Sequence, residues 1–227
     1  MVERVGEQNP GWSAVDAYIA EHLLGDDPAL AATLAANAAG GLPDIDVSPA
    51  QGRMLHLFAR MASARFILEI GTLGGYSTIQ LASALPIEGS LITLEIDPHH
   101  AEIARSNIAA AGFADRVQVR TGAALDLLED MLRGNEGPFD FVFIDADKQN
   151  NVAYLDYAVR LSRAGATIIV DNVIREGAIL DADSDDERVR GTRQLFEAVV
   201  AHPLLQATAI QTVGVKKWDG FLLAIVK

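Results

Sequence analysis

Between residues 65 and 170 the chain alternates short, almost purely apolar runs with longer stretches whose apolar residues recur at helical spacing. That alternation leaves few folds open. A strand buried on both faces reads as a continuous apolar run, and successive parallel strands need a crossover, normally a helix. The runs are Arg65 to Ile70 (RFILEI), Ser90 to Glu95 (SLITLE), Arg116 to Arg120, Phe139 to Ile144 and Ala166 to Val170. The spacing predicts helices over Tyr76 to Leu85, Ala123 to Leu132 and Ala153 to Arg163. A further helix opens at Asp97-Pro98 as cap and first turn and closes at Gly112. Right-handed crossovers then place helices on both faces of a parallel sheet.

The two ends differ. After a helix over Glu187 to Val200, strands Leu205 to Val213 and Phe221 to Val226 are joined only by Gly214 to Gly220, so they must be antiparallel neighbours. Ahead of the alternation, helices are expected over Ala14 to Leu24, Ala29 to Ala38 and Pro49 to Met61, the last capped by Ser48. The expectation is one domain of 227 residues: a helical cap over 1–62 and an α/β core over 63–227, with a mostly parallel seven-stranded sheet ending in an antiparallel hairpin.

Composition removes several classes of function. A net charge of −13 with no clustered Lys/Arg argues against tracking a phosphate backbone, so no nucleic-acid partner is expected. The absence of cysteine rules out disulfides, thiolate metal sites and cysteine nucleophiles. The stretch MVERVGEQNPGW lacks a basic region followed by an apolar one, and no apolar run approaches the ~18 residues of a membrane span. A cytoplasmic protein without a membrane partner is the expectation.

Chemistry collects at strand ends. FVFIDADK (141–148) and TIIVDN (167–172) are apolar runs that stop abruptly in acidic, amide and basic side chains. Open α/β sheets bind ligands beyond the carboxyl ends of their strands. Oxygen ligands at two such ends suit a hard cation, and Lys148 beside them adds a candidate base. After the first strand, Gly71-Thr72-Leu73-Gly74-Gly75 forms a turn where backbone can approach a ligand, but it is neither G-x-G-x-x-G nor a P-loop. Glu69 before it would repel phosphates and suit an amine, while Glu95 ends the second strand where ribose hydroxyls are held. S-adenosylmethionine combines those groups. Taken singly, the glycines also read as a tight turn, Asp147-Lys148 as a solvated pair and Asp171-Asn172 as a strand-end turn. Their joint presence favours the chemical reading.

ILEIGTLGGYST, ITLEIDP, FDFVFIDADK and IIVDN, in this order, resemble the metal-dependent O-methyltransferases, the catechol and caffeoyl-CoA type with their bacterial relatives. The similarity runs from about Pro43 to the carboxyl terminus. It implies a Rossmann-like class I methyltransferase fold. It also implies a divalent ion, usually magnesium with manganese or calcium as alternatives, on Asp145, Asp171 and Asn172. Lys148 would be the catalytic lysine, with Asp145 beside it. Val47, Glu69, Gly71, Thr72, Ser77, Glu95, Ala124 and Asp145 would contact the cofactor. The substrate would be a small vicinal-diol phenol, and the assembly a homodimer.

Two other readings compete. An NAD-dependent oxidoreductase leaves the missing G-x-G-x-x-G and the DADK and DN blocks unexplained. A cofactor-binding protein without catalysis leaves Lys148 unexplained. The acidic run Asp181 to Glu187 fails as an EF-hand, having Asp186 and Thr192 where Gly and Glu are required, and reads as a solvated lid. The five histidines show no ligand spacing, Trp12 suits packing or a dimer contact, and Trp218 and Asp219 receive no catalytic role.

Overall fold

A computed structural model describes residues 9–227; residues 1–8, and with them most of the stretch read for a secretory signal, lie outside the described residues. The elements are α1 (Pro10–Ile19), α2 (Pro28–Ala39), α3 (Pro49–Met61), β1 (Phe66–Ile70), α4 (Tyr76–Ala84), β2 (Ser90–Glu95), α5 (Pro98–Ala110), β3 (Val117–Thr121) and α6 (Ala124–Arg133). They continue as β4 (Phe139–Ile144), α7 (Asn151–Arg160), β5 (Ser162–Asp171), α8 (Glu187–Ala201), β6 (Leu205–Gly214) and β7 (Lys217–Val226). The cap-then-proline signal sets several helix starts: Asn9, Asp27, Ser48 and Asp97 each accept a backbone N–H of the helix they open, and each precedes a proline.

The strands form one sheet in the order β3-β2-β1-β4-β5-β7-β6, parallel except where β7 runs antiparallel to both β5 and β6. Period-two alternation splits the core. Leu68, Ile70, Val142 and Ile144 face α6, α7 and α8, while Ile67, Phe141 and Phe143 face α3, α4 and α5. Every residue of β4 is buried, as its central place requires. Phe141 and Phe143 are large enough that truncating either to alanine would cost roughly 3–5 kcal/mol. Among the described residues no helix is long and apolar enough to cross a membrane.

Three expectations need correction. The helix predicted to reach Arg163 ends at Arg160, because Ser162 already pairs with Phe139 and starts β5 ahead of an irregularity in the ladder. The helix predicted over Ala14 to Leu24 begins at Pro10 and closes in a wider π-turn over Ala20–Leu24. The connection predicted over Gly214 to Gly220 is mostly strand: Gly214 pairs with Lys217, leaving Val215 and Lys216 as the turn. Gly220 reads as a loop residue in sequence. In the fold it is there for close packing, since a Cβ would stand 2.2 Å from the Ile210 carbonyl oxygen.

Candidate active site

The strand order reverses between β1 and β4, and register decides what meets there. Ile70 pairs with Ile144, and Ile144 with Val170. The residues that follow, Gly71, Asp145 and Asp171, are therefore neighbours across three strand ends although a hundred positions separate the outer two. Asp145 N–H donates to the Ile70 carbonyl at 2.9 Å. Gly71 has φ +97°, and a Cβ on it would lie 2.1 Å from the Asp145 carbonyl oxygen, so only glycine fits.

Beyond these ends opens a cavity of about 1180 Å³. Of the sequence-predicted site residues, Val47, Gly71, Thr72, Ser77, Glu95, Ala124, Asp145, Lys148, Asp171 and Asn172 all line it. Glu69 does not. It is fully buried behind the wall, where it accepts from Ser77 Oγ at 2.6 Å and Thr78 Oγ1 at 2.5 Å, and burial pushes its carboxyl up to about 7. Its contact with the cavity runs through Ser77.

One pole gathers the glycine turn, Glu95 and two uncapped helix starts. Glu95 Oε2 accepts from Thr72 N–H (3.2 Å) and Leu73 N–H (2.8 Å), while Oε1 accepts from Asp97 N–H (3.0 Å), which ties the glycine turn to the end of β2. The first turns of α4 and α6 have no side-chain cap, leaving backbone N–H groups for a ligand. From the amino-terminal segment, Val47 closes this wall. Asn37 on α2 donates to Asp46 (3.2 Å) and accepts from Asn107 Nδ2 (3.0 Å), which in turn donates to the Gly74 carbonyl (2.9 Å). The helical cap is thereby joined to the glycine turn.

The other pole carries charge. Lys148, 7% exposed, donates from Nζ to Asp145 Oδ1 at 2.8 Å. Asp171, 3% exposed, accepts from Gln51 Nε2 at 2.6 Å and from Asn172 N–H at 2.9 Å. Burial first, then the neighbouring Asp145 charge, raises the Asp171 carboxyl well above the usual range, with Lys148 opposing. Asn172 sits at φ +57°, a left-handed position that asparagine tolerates better than most residues. Among the described residues no three His, Cys, Asp or Glu side chains group to hold an ion, so the amide of Asn172 is needed beside the two carboxylates. Two carboxylates and an amide, with one lysine against two acidic charges, fit a hard divalent cation.

Sequence reasoning missed several supports. Gln51 lies inside α3 and carries no strand-end signal, yet it fixes Asp171. Asp219 received no role; its Oδ1 accepts from the N–H groups of Ile174, Arg175 and Gly220, holding the turn after Asn172. Tyr154 donates to Asp147 at 2.5 Å, steadying the segment before Lys148, and Lys216 reaches the cavity from the β6–β7 turn. Within the acidic run, Asp181, Asp183, Asp185 and Glu187 are exposed, while Asp186 caps α8 and pairs with Arg188 at 2.7 Å.

Residues 21–225 match the O-methyltransferase family. The chain belongs to that family. A catechol O-methyltransferase from Mycobacterium tuberculosis is 55% identical over 221 residues, covering 97% of this chain and 99% of that protein. The solved structure of the O-methyltransferase from Bacillus cereus in complex with SAH superposes with a TM-score of 0.94 at 53% identity, over 96% of this chain and 99% of that one. The O-methyltransferase TomG from Streptomyces achromogenes, involved in tomaymycin synthesis and solved with SAM, gives 0.93 at 45% identity over the whole of both chains. This O-methyltransferase is accordingly dependent on S-adenosylmethionine, and the oxidoreductase and non-catalytic readings fall away.

Proposed function

We propose that this O-methyltransferase requires a divalent cation, magnesium by the chemistry of its donors, and methylates one hydroxyl of a small vicinal-diol phenol such as a catechol or caffeate. The observation that carries this is the Lys148–Asp145 contact of 2.8 Å at a strand end flanked by Asp171 and Asn172, in the same cavity as the glycine turn. Asp145, Asp171 and Asn172 would hold the ion, which supplies stabilisation of a phenolate and offsets the two carboxylates; S-adenosylmethionine supplies an electrophilic methyl group.

The chain's own residues do the rest. Gly71 to Ser77, Glu95 and Ala124 orient the donor, and the β4 and β5 ends orient the acceptor, so that much of the barrier is met by positioning. Lys148 Nζ takes the hydroxyl proton. The acceptor oxygen gains the methyl group as the carbon–sulfur bond breaks. Asp145 Oδ1, 2.8 Å from Lys148 Nζ, holds the lysine at the strand end where that proton is taken. Gln51 and Asp219 keep Asp171 and the following turn in place.

The test is methyl transfer from S-adenosylmethionine to catechol, caffeate and caffeoyl-CoA, with magnesium and with EDTA, beside Asp145→Ala and Lys148→Ala. The reading requires that EDTA and each substitution lower turnover by a hundredfold or so, the usual range for a general base. Turnover indifferent to EDTA would sink it.

A further inference from the structure

Arg175 has no task in the mechanism above, yet it stands in the wall of the cavity. Three residues beyond Asn172, it also lines a side recess of about 240 Å³ together with Asn172, Glu176, Ala178, Asp186, Val189 and Asp219. Its Nε is buried without a hydrogen-bond partner. With no protein acceptor among the described residues locking it, the guanidinium can offer its nitrogens to an anion in the cavity. The acids around it are each engaged elsewhere. Asp186 is paired with Arg188, Glu176 with Lys217 at 3.3 Å, and Asp219 with three backbone N–H groups. Arg175 reaches Asp186 only as a background charge.

The backbone is also strained at this point. Arg175, Glu176 and Gly177 follow one another at φ +54°, +53° and +80°, the first two being side chains that seldom adopt the left-handed region. Such strain persists only where surrounding contacts enforce it and is common at ligand-binding turns. Here Asp219 holds the Arg175 N–H, and Trp218 packs over Gly177, where a Cβ would meet the ring at 2.8 Å. The turn is fixed with its cation just beyond Asn172 on the β5 side of a cavity that the glycine turn lines from β1.

We propose that Arg175 is a specificity residue that selects acceptors bearing a carboxylate, on the aromatic ring or a short side chain, by binding that carboxylate while the vicinal oxygens lie at Asp145, Asp171 and Asn172. This rests on the vicinal-diol reading of the site. A planar guanidinium matches a carboxylate in two parallel hydrogen bonds, which lysine cannot reproduce. The carboxylate of the methionine half of the cofactor has the same chemistry, so the test separates the two sources.

Wild type, Arg175→Gln and Arg175→Lys are compared on 3,4-dihydroxybenzoate, caffeate and neutral catechol. Binding of 3,4-dihydroxybenzoate and of catechol to the SAH-loaded protein is followed by calorimetry. The expected result is that Arg175→Gln lowers the ratio of kcat/KM for 3,4-dihydroxybenzoate over catechol by roughly tenfold or more, the worth of a charge-assisted hydrogen bond. The change sits mainly in KM, the calorimetric affinities shift in the same ratio, and Arg175→Lys recovers part of the loss. An unchanged ratio with both acceptors turned over overturns the proposal and leaves the vicinal-diol reading standing. A rise in the KM for S-adenosylmethionine with catechol as acceptor assigns Arg175 to the cofactor and also overturns it. No methylation of any diol by wild type removes both readings.

Discussion

Glu69 carries a carboxyl group into a face of the sheet otherwise packed with Ile67, Phe141 and Ile79, and it is tolerated because Ser77 and Thr78 both donate to it. Burial still raises it from 4.5 to about 7. A carboxyl whose folded value is raised favours the folded state fully at low pH, and that contribution is lost as pH climbs from 4.5 through 7. The loss amounts to about 3 kcal/mol at most. Urea unfolding of the cofactor-free, EDTA-treated protein at pH 5 and pH 8 should therefore show wild type weakening relative to Glu69→Gln as pH rises. Parallel profiles for the two proteins would mean that Glu69 does not titrate in this range. At Gly71, conformation and space act together, since alanine there would have to hold φ +97° and push its Cβ into the Asp145 carbonyl. Gly71→Ala should lose about 2–5 kcal/mol of stability and most of its affinity for SAH, read by denaturation and calorimetry. Retained affinity would show that the β1 and β4 ends can part without harming SAH binding.

Helix α8 acts on the site without lining most of it. Its Gly191 lies against the one-turn 3-10 segment Lys148–Asn150, and a Cβ there would stand 2.3 Å from the Lys148 carbonyl oxygen. Alanine is a better helix former, so local propensity favours the change while packing opposes it. Because backbone blocks the Cβ, α8 or the lysine segment must shift, and displacements near 1 Å can cost up to about 100-fold in rate. Gly191→Ala should lower kcat at least roughly tenfold while SAH affinity, assigned above by proposal to the glycine-turn pole, changes little. Equal losses in both would point to general unfolding instead. The same element shows where sequence reading stops. The apolar runs ending in Asp145 and Asp171 were legible because strand burial and strand ends leave periodic, local signals. Gly191 and Gln51 were not, because a helical glycine or glutamine becomes functional only through a neighbour 43 or 120 positions away. Gly220 misled for a related reason, reading as turn chemistry where it answers a cross-strand contact with Ile210.

At the scale of the whole molecule the cleft is assembled from segments spread over most of the chain: the 44–51 segment, the glycine turn, the β4 and β5 ends and the hairpin tip, where Lys216 lies 3.5 Å from Asp44. A −13 protein that buries both Glu69 and Asp171, each raised in part by the charge of Asp145, accumulates negative charge around that strand end as pH rises. A divalent cation that binds the folded chain alone should relieve it. At a concentration about 100 times its Kd, magnesium would add roughly 2.7 kcal/mol, or about 5–10 °C in Tm for a chain of this size. The pH dependence is the sharper part. Asp171, raised by burial and by Asp145, must lose its proton before it can serve as a ligand, so binding releases protons and strengthens with pH. The magnesium-induced rise in Tm should thus be larger at pH 8 than at pH 6, even as the metal-free protein grows less stable over the same interval. Asp171→Asn, which keeps the shape but carries no charge, should abolish most of the increment. An increment equal or greater at pH 6, or one that survives Asp171→Asn, would place magnesium elsewhere on this acidic surface and remove Asp171 from the ligand set.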